Sequence, residues 1–199
     1  MKNNYIELME KRRTVYSLGN NVEQTEEALV NTITEAMKHS PSAFNSQTSR
    51  AVILFNEHHH KLWSIVEKEL RVIVPAERFK ATEDKLASFS AGFGTILFFE
   101  DQDIIKQLQD QFALYAEQFP TWSEQGTGIA QHSVWTALAQ DGIGASLQHY
   151  NPIIDQAVKN EWELPDTWKL TAQMPFGSIE GVPGKKEFIA DEERIQVFR

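Results

Sequence analysis

The sequence predicts an α+β fold in which helices cover a small sheet, and three observations support this prediction. Residues 22–39 place apolar side chains at helical spacing and end at a Ser-Pro pair, which predicts an amphipathic helix. Residues 50–55 and 95–99 are short apolar runs, typical of buried strands. Helical patterns are mixed with these strands, and no linker or shift in composition divides the chain. We therefore expect one domain over residues 1–199.

The remaining elements follow from the same patterns. Further helices are expected over residues 59–73, 77–90, 103–118 and 125–140. Pro120 marks a break before the last of these, and Ser123 has a side chain suited to capping it. Its small and apolar residues indicate a central position. Strands are expected over residues 145–149 and 168–174, and the alternating residues 194–198 suit a sheet edge, including one on another subunit.

Charge and cysteine content exclude several classes of function. The chain has 19 basic and 28 acidic residues, a net charge of 19 − 28 = −9, and no cysteine. Broad binding to nucleic acid is not expected, because such proteins gather basic residues into a patch. Disulfides, cysteine-ligated clusters and thiol nucleophiles are excluded. A redox role would therefore need a bound organic cofactor.

The chain also lacks the patterns of several other classes. No apolar run approaches 18 residues, and residues 1–7 lack the apolar segment of a secretory signal, so we expect a cytoplasmic protein without a membrane partner. Dinucleotide-binding, P-loop, nucleophile-elbow and zinc-protease motifs are absent. No catalytic side chain is assigned.

The histidines offer little evidence for a metal site. His58, His59 and His60 would point about 100° apart on a helix, so we interpret them as the polar start of a helix. His132 lies in the apolar central helix and is interpreted as a hydrogen-bonded core residue. His149 ends a predicted strand beside a loop, a position that suits a site residue or a turn cap.

Adjacent basic residues occur in two segments of this acidic chain. Lys11, Arg12 and Arg13 precede Thr14, and Lys185 and Lys186 follow a loop rich in glycine. Arginine beside a hydroxyl is well suited to binding phosphate, so one phosphate could be held from both ends of the chain. The alternative is that both segments are solvated surface.

The polar loop at residues 40–47 is the third candidate feature. Ser42, Asn45 and Gln47 carry donors and acceptors that can read the edge of a planar heterocycle. The same residues are common in turns that only cap a helix. Composition alone does not decide between a ligand site and a turn.

Taken together, these segments resemble the nitroreductase family of FMN-dependent oxidoreductases. The resemblance depends on Arg12-Arg13-Thr14, on the loop Ser40-Pro41-Ser42-Ala43-Phe44-Asn45-Ser46-Gln47, on Lys185-Lys186 and on their order. Residues 91–101 and 144–152 look like the subgroup related to fungal fatty-acid-repression proteins. The resemblance covers nearly the whole chain.

The resemblance implies a three-layer sandwich with a small, mostly antiparallel sheet, in a homodimer with FMN at the subunit interface. It implies electron transfer from NADH or NADPH to nitroaromatic or quinone-type acceptors by a ping-pong mechanism. The residues that it assigns to the cofactor are Arg12, Arg13, Thr14, Ser42, Asn45, Gln47, Gln148, His149, Lys185 and Lys186. The first three, with the two lysines, would hold the phosphate and ribityl chain.

Two departures from the family pattern and two other functions stay open. Tyr16 stands where many relatives have a basic residue, and Thr48 stands where many have proline. Four aromatic residues, Phe44, Phe112, Tyr115 and Trp122, can line an acceptor pocket or pack in the core. The alternative functions are a flavin-binding stress or regulatory protein with little turnover, and a dimeric scaffold without a cofactor.

Overall fold

Two layers of helices enclose a small antiparallel sheet in the computed structural model, which describes residues 3–199. The helices are α1 (Asn4–Lys11), α2 (Glu26–Lys38), α3 (Asn56–Ile73), α4 (Phe79–Ser90), α5 (Gln102–Gln111), α6 (Phe119–Gln140), α7 (Asp155–Glu161) and α8 (Asp191–Arg194). The strands are β1 (Leu18–Gly19), β2 (Ser49–Phe55), β3 (Gly94–Asp101), β4 (Gly144–Ala145) and β5 (Trp168–Ile179). The first two residues of the segment considered for a secretory signal lie outside the described residues.

The sheet has the order β1-β5-β3-β2, and β4 also pairs with β5. Each of these strand pairs is antiparallel. Strand β5 therefore contacts three other strands and joins the chain's first strand to its later ones. The predicted α+β class with a small antiparallel sheet is confirmed.

Side chains alternate across the sheet into two apolar cores. Leu97 and Phe99 of β3 pack with α3, α4 and α7. Ile96 and Phe98 face the opposite side and pack with α2 and α6. All four are fully buried, so both faces of β3 are covered and the predicted three layers are present.

A β-bulge interrupts the pairing of β3 with β5. Phe98 is paired with Ala172, whereas Phe99 is paired with Leu170, so Thr171 has no opposite residue. The Thr171 hydroxyl donates a hydrogen bond to the Phe98 carbonyl at 3.0 Å. This bulge turns the Thr171 side chain out of the ladder.

The predicted start of the central helix is wrong. Helix α6 begins at Phe119, with Pro120 in its first turn, where the missing N–H of proline costs no hydrogen bond. Ser123 is therefore inside the helix and does not cap it. It is buried and shares a 2.8 Å hydroxyl hydrogen bond with Thr48, which explains how a threonine is accommodated after the polar loop.

Three other predicted elements differ from the structure. Helix α5 ends at Gln111 and is followed by a 3-10 turn, because Phe112 leaves the helical backbone region. The predicted strand at 145–149 contributes only β4 and one isolated bridge between Gln148 and Gln173. Within residues 3–199 the segment 194–198 pairs with no strand of this chain, and its pairing with a sheet edge of another subunit stays a prediction. The predictions for α2, α3, α4, β2 and β3 are confirmed to within a few residues.

The described part of the chain contains no helix that is long and apolar enough to span a bilayer. Its histidine and carboxylate side chains also form no group that could bind a metal ion within residues 3–199.

Candidate functional site

The two basic segments meet in the folded chain. Arg13 Nη2 donates a hydrogen bond to the carbonyl oxygen of Gly184 at 2.6 Å, although the two residues are 171 positions apart. Arg13 and Lys186 also line one cavity of about 390 Å³, whose other lining residues are Ile6, Met9, Glu10 and Phe188. Lys185 is exposed in the same loop. Two cationic side chains therefore face one opening at the surface.

Arg12 lies beside these residues and against the central helix. Its guanidinium carbon is 4.4 Å from the centre of the Trp135 ring. Among the residues that the structure describes, Arg12 Nε is buried and has no hydrogen-bond partner. Burial, and then the charge of Arg13, lower the pKa of Arg12, and burial followed by the charge of Arg12 lowers that of His132. A partly buried cation with an unused donor is suited to an anionic ligand.

His132 occupies the same face of α6, one turn before Trp135, and is half-buried beside Arg12. The prediction that His132 is a core histidine is therefore only partly confirmed, because its ring lies beside the basic segment at residues 11–13. Lys11 Nζ donates to the carbonyl of Gln140 at 2.8 Å and so attaches the end of α1 to the end of α6.

Thr14 connects this basic region to the sheet. It forms a parallel bridge with Ala145, and the amide of Val15 donates to the Ala145 carbonyl at 2.9 Å. The segment that follows β4 reaches Gln148, whose amide donates to the Gln173 carbonyl at 2.7 Å. The Gln148 side chain is buried and donates to Ser146 Oγ at 3.0 Å, so its polar group is used within the chain.

His149 is exposed at the edge of a second cavity, of about 240 Å³. Its other lining residues are Glu124, Thr127, Gly128, Gln131, Asn151, Lys169, Leu170 and Thr171. Sequence reasoning did not single out Lys169 or Thr171. Thr171 reaches the cavity through the bulge in β5, whereas Lys169 is an ordinary strand residue paired with Glu100. No local pattern in the sequence marks that bulge.

Glu100 lies behind Lys169 and is almost fully buried. Lys169 Nζ is 3.7 Å from Glu100 Oε2, and Glu100 Oε1 has no hydrogen-bond partner among the described residues. Burial raises the pKa of Glu100, although Ser123 and Lys169 oppose the shift. The cavity beside His149 therefore has a polar wall with a buried carboxyl group behind it.

The loop at residues 40–47 adopts a constrained backbone. Phe44, Asn45 and Gln47 have φ values of 56°, 51° and 49°, a region that residues other than glycine seldom occupy. Ser42 Oγ accepts a hydrogen bond from the Gln47 amide at 3.0 Å. The side chains of Asn45 and Gln47 are consequently exposed at the surface.

The base of this loop contacts α6 at a glycine. A Cβ atom on Gly126 would lie 3.5 Å from Cβ of Ser42, so the loop approaches the helix closely. A cavity of about 160 Å³ lies here, lined by Ser42, Gln47 and Arg50, among others. Arg50, which the sequence did not single out, donates to the Gln47 carbonyl at 2.6 Å and pairs with Asp101 at 3.0 Å. Arg50 thereby supports the loop from the sheet.

Phe44 projects into a cluster of aromatic rings. Its ring stacks on Trp122 at 5.9 Å between centroids with an angle of 22°, and it lies 5.0 Å from Phe112 and 6.0 Å from Tyr115. The four aromatic residues named from the sequence thus lie together, with buried Phe119 beneath them. Phe44 itself remains 52% exposed, which leaves part of its ring free for another flat molecule.

Helix α6 passes all three regions. Gly126 faces the polar loop, Thr127 and Gln131 face the cavity of His149, and Trp135 lies under Arg12. The three cavities share no lining residue. The folded chain therefore joins the two basic segments to each other but leaves the polar loop in a separate cavity.

Comparison with known proteins gives a consistent result. The profile of the nitroreductase family matches residues 9–178. HBN1 of Saccharomyces cerevisiae is 34% identical over 193 residues, with 96% of each chain covered. The nitroreductase FRM2 of the same yeast is 32% identical over 188 residues, with 94% of this chain and 93% of FRM2 covered. These two relatives confirm the expected similarity to the fungal subgroup.

A solved structure gives the same assignment at higher identity. The nitroreductase CinD from Lactococcus lactis, in complex with chloramphenicol, is 54% identical, superposes with a TM-score of 0.91, and covers 98% of this chain and 100% of its own. CinD has also been solved in complex with 4-nitrophenol. Sequence and fold agree over almost the full length, and the chain therefore belongs to the nitroreductase family of oxidoreductases.

Proposed function

We propose that this protein is an FMN-dependent oxidoreductase that transfers electrons from NADH or NADPH to nitroaromatic or quinone-type acceptors. The mechanism would be ping-pong, in which the nicotinamide reacts first and the acceptor second. The single observation that carries the proposal is the contact of Arg13, the neighbour of Arg12, with the loop that holds Lys185 and Lys186. Bound FMN supplies the redox chemistry, which the side chains of a protein without cysteine do not provide.

The basic region suits the phosphate of FMN. Arg12 has a buried donor without a partner, and Arg13 and Lys186 share one cavity. Glu10 lines the same cavity, and two cationic groups with one carboxylate leave a net positive charge that favours an anion. Arg12, Arg13, Thr14, Lys185 and Lys186 would hold the phosphate and the ribityl chain, since these residues also match the family pattern.

The polar loop is proposed to act across a subunit interface. Ser42, Asn45 and Gln47 belong to a separate cavity from Arg12, so in one chain they do not share its ligand. In a homodimer with FMN at the interface, the loop of one subunit can complete the site of the other. The segment after β5 supports this arrangement, because Phe188, Ile195 and Phe198 are 72%, 62% and 90% exposed. Apolar residues this exposed are typical of a surface that a second copy covers.

Gln148 and His149 are proposed to approach the flavin ring. Gln148 is buried and bonded within the chain, so its contribution is to place the backbone of this segment. The exposed imidazole of His149 can donate a hydrogen bond toward negative charge on a reduced ring. No side chain is assigned as a catalytic residue, because the protein's task is to bind and orient the reactants.

The acceptor is proposed to be a flat aromatic molecule. Phe44 and its three aromatic neighbours form a partly exposed cluster in which Phe44 stacks on Trp122. The ligands in two CinD structures, chloramphenicol and 4-nitrophenol, both carry a nitrophenyl group. Stacking on Phe44 would orient such a group without requiring a specific polar partner.

The test is to purify the full chain, record its flavin absorbance, and add NADH or NADPH without oxygen. We expect bleaching of the flavin absorbance by at least one nicotinamide, followed by its recovery on addition of a nitroaromatic or a quinone. Absence of flavin in the purified protein, together with failure to bind added FMN, would overturn the proposal. Bound FMN that neither nicotinamide reduces would instead support a flavin-binding protein with little turnover.

A further inference from the structure

The contact between Arg12 and Trp135 is not explained by cofactor binding alone. Arg12 is the residue directly after α1. Its amide donates the last hydrogen bond of that helix, to the Leu8 carbonyl at 3.0 Å. Its guanidinium carbon lies 4.4 Å from the Trp135 ring centre. Trp135 is half-buried and packs against the apolar core between α6 and the sheet, so it provides a rigid surface for the arginine.

Apart from the Trp135 ring, the surroundings of Arg12 do little to stabilise its charged side chain. The pKa of Arg12 is lowered, by burial and by neighbouring Arg13, so the cation has lost solvent and faces a like charge. Within the described residues its Nε atom has no hydrogen-bond partner. The ring of Trp135 is therefore a specific source of attraction for this charge, because the face of an indole is electron-rich.

Stacking has a second consequence that matters for binding a phosphate. A guanidinium group donates its hydrogen bonds in its own plane, at its edges. An aromatic ring beneath the plane limits its rotation and leaves the edges available. Arginine held in this way loses less side-chain entropy when it binds two oxygen atoms of one phosphate.

We propose that Trp135 is a positioning residue that holds Arg12 ready for the phosphate of the flavin. This inference rests on the proposed function. It assigns a role in cofactor binding to a residue of α6, which lies outside both basic segments. Trp135 acts through Arg12 and not by contact with the cofactor. Its effect should therefore depend on the phosphate and on Arg12.

The experiment compares the binding of FMN with that of riboflavin, which lacks the phosphate. Full-length protein and its Trp135→Leu and Trp135→Phe variants are titrated with each flavin, and quenching of flavin fluorescence gives the Kd. We expect Trp135→Leu to weaken FMN binding about fivefold and to leave riboflavin binding unchanged. Trp135→Phe keeps an aromatic face and should weaken FMN binding only about twofold.

A matched pair elsewhere in the chain provides the control. The guanidinium carbon of exposed Arg71 lies 4.1 Å from the ring centre of Phe79, which belongs to the core on the other side of the sheet. Phe79→Leu should lower the unfolding temperature but leave the Kd for FMN unchanged. This control separates loss of an arginine–aromatic contact in general from loss of the one beside the basic segment.

A double-mutant cycle completes the test. In an Arg12→Ala background, Trp135→Leu should have no further effect on the Kd for FMN. Equal weakening of FMN and riboflavin, or a full additional loss in the Arg12→Ala background, would overturn the positioning role. Failure of the unmodified protein to bind FMN would instead overturn the proposed function, and this result is separate from either of the others.

Discussion

Two clusters in this protein place a basic side chain against a tryptophan. The first consists of His59, Trp63 and Thr95, and the second of Arg12, His132 and Trp135. Each brings a basic group and an indole together, fully buried in the first cluster and partly buried in the second. In the first cluster the polar atoms hydrogen-bond to one another. In the second, Arg12 Nε and Trp135 Nε1 are buried without a partner among the described residues.

The hydrogen bonds of the first cluster form a closed set. His59 Nε2 lies 3.2 Å from the Ser90 carbonyl and must donate to it, so Nδ1 accepts from the Thr95 hydroxyl at 2.9 Å. Trp63 Nε1 in turn donates to Thr95 Oγ1 at 3.1 Å. Burial is the largest cause that lowers the pKa of His59 to about 4. This histidine is neutral at pH 7 and stabilises the fold.

The comparison teaches how to tell a structural polar cluster from a binding one in this protein. Buried polar groups in folded proteins are nearly always paired, so an unpaired donor such as Arg12 Nε is suited to a partner from outside the chain. In the His59 cluster every polar atom has a partner within the chain. The unpaired donor of Arg12 supports the proposal that a phosphate binds beside it.

The largest expected effect is the loss of stability at acid pH through His59. Its pKa is about 4 in the folded chain and 6.5 as the ordinary value, so the unfolded chain binds more protons between these values. The contribution is complete above pH 6.5 and is lost as the pH falls toward 4, by about 3 kcal/mol in total. Urea unfolding at pH 7.5 and pH 4 measures it.

The neighbouring histidine is the control for this prediction. His59→Gln should remove the part of the pH dependence that His59 causes, whereas His60→Gln, at an exposed position, should follow the unmodified protein. Identical pH profiles for His59→Gln and the unmodified protein would show that the buried histidine is not the titrating group.

The next largest effect is expected from Arg12→Ala on cofactor binding. Loss of charge-assisted hydrogen bonds to a phosphate should raise the Kd for FMN about 30-fold, which corresponds to about 2 kcal/mol. The free energy of unfolding without flavin should change by no more than about 1 kcal/mol, because the lost contact with Trp135 is offset by removal of a partly buried cation beside Arg13. Arg71→Ala, which removes surface ion pairs with Glu67 and Glu83, should leave the Kd unchanged. A Kd that is the same for Arg12→Ala and Arg71→Ala would remove Arg12 from the site.

The smallest effect is expected from Lys186→Ala. Its ammonium group is exposed and lies 5.0 Å from the Phe188 ring centre, so water screens its attraction for a phosphate. We expect the Kd for FMN to rise about threefold at low salt and less at 0.5 M NaCl. Lys68→Ala, at a cavity between α3 and α7, is the matched surface control. An effect of Lys186→Ala that does not depend on salt would argue against a simple charge interaction.

Elements with a strong local pattern were predictable from the sequence, whereas those that depend on a partner were not. The helix α2 and the strands β2 and β3 have clear periodicity or apolar runs, and the structure places them close to the expected positions. The start of α6 was wrong because a proline compatible with a first helical turn reads as a break. The segment 145–149 was overestimated because Gln148 makes only a single bridge with Gln173.

The candidate site was also predictable only in part. Arg12, Arg13 and Lys186 could be named because their residue types and order carry the resemblance, and the structure brings Arg13 and Lys186 to one cavity. Trp135 and Thr171 could not be named. One is an ordinary apolar residue of a core helix, and the other reaches its cavity through a β-bulge.

The sequence by itself determined which chemistry is available: no thiol, two basic segments, a polar loop, and helices and strands that local periodicity specifies. Only the tertiary structure decided which of these groups meet. Strand β5 pairs with β1, β3 and β4, and this pairing holds the end of the chain near its beginning, where Arg13 contacts Gly184. Helix periodicity depends on residues three or four positions apart, whereas contacts between the two ends depend on how the whole sheet closes.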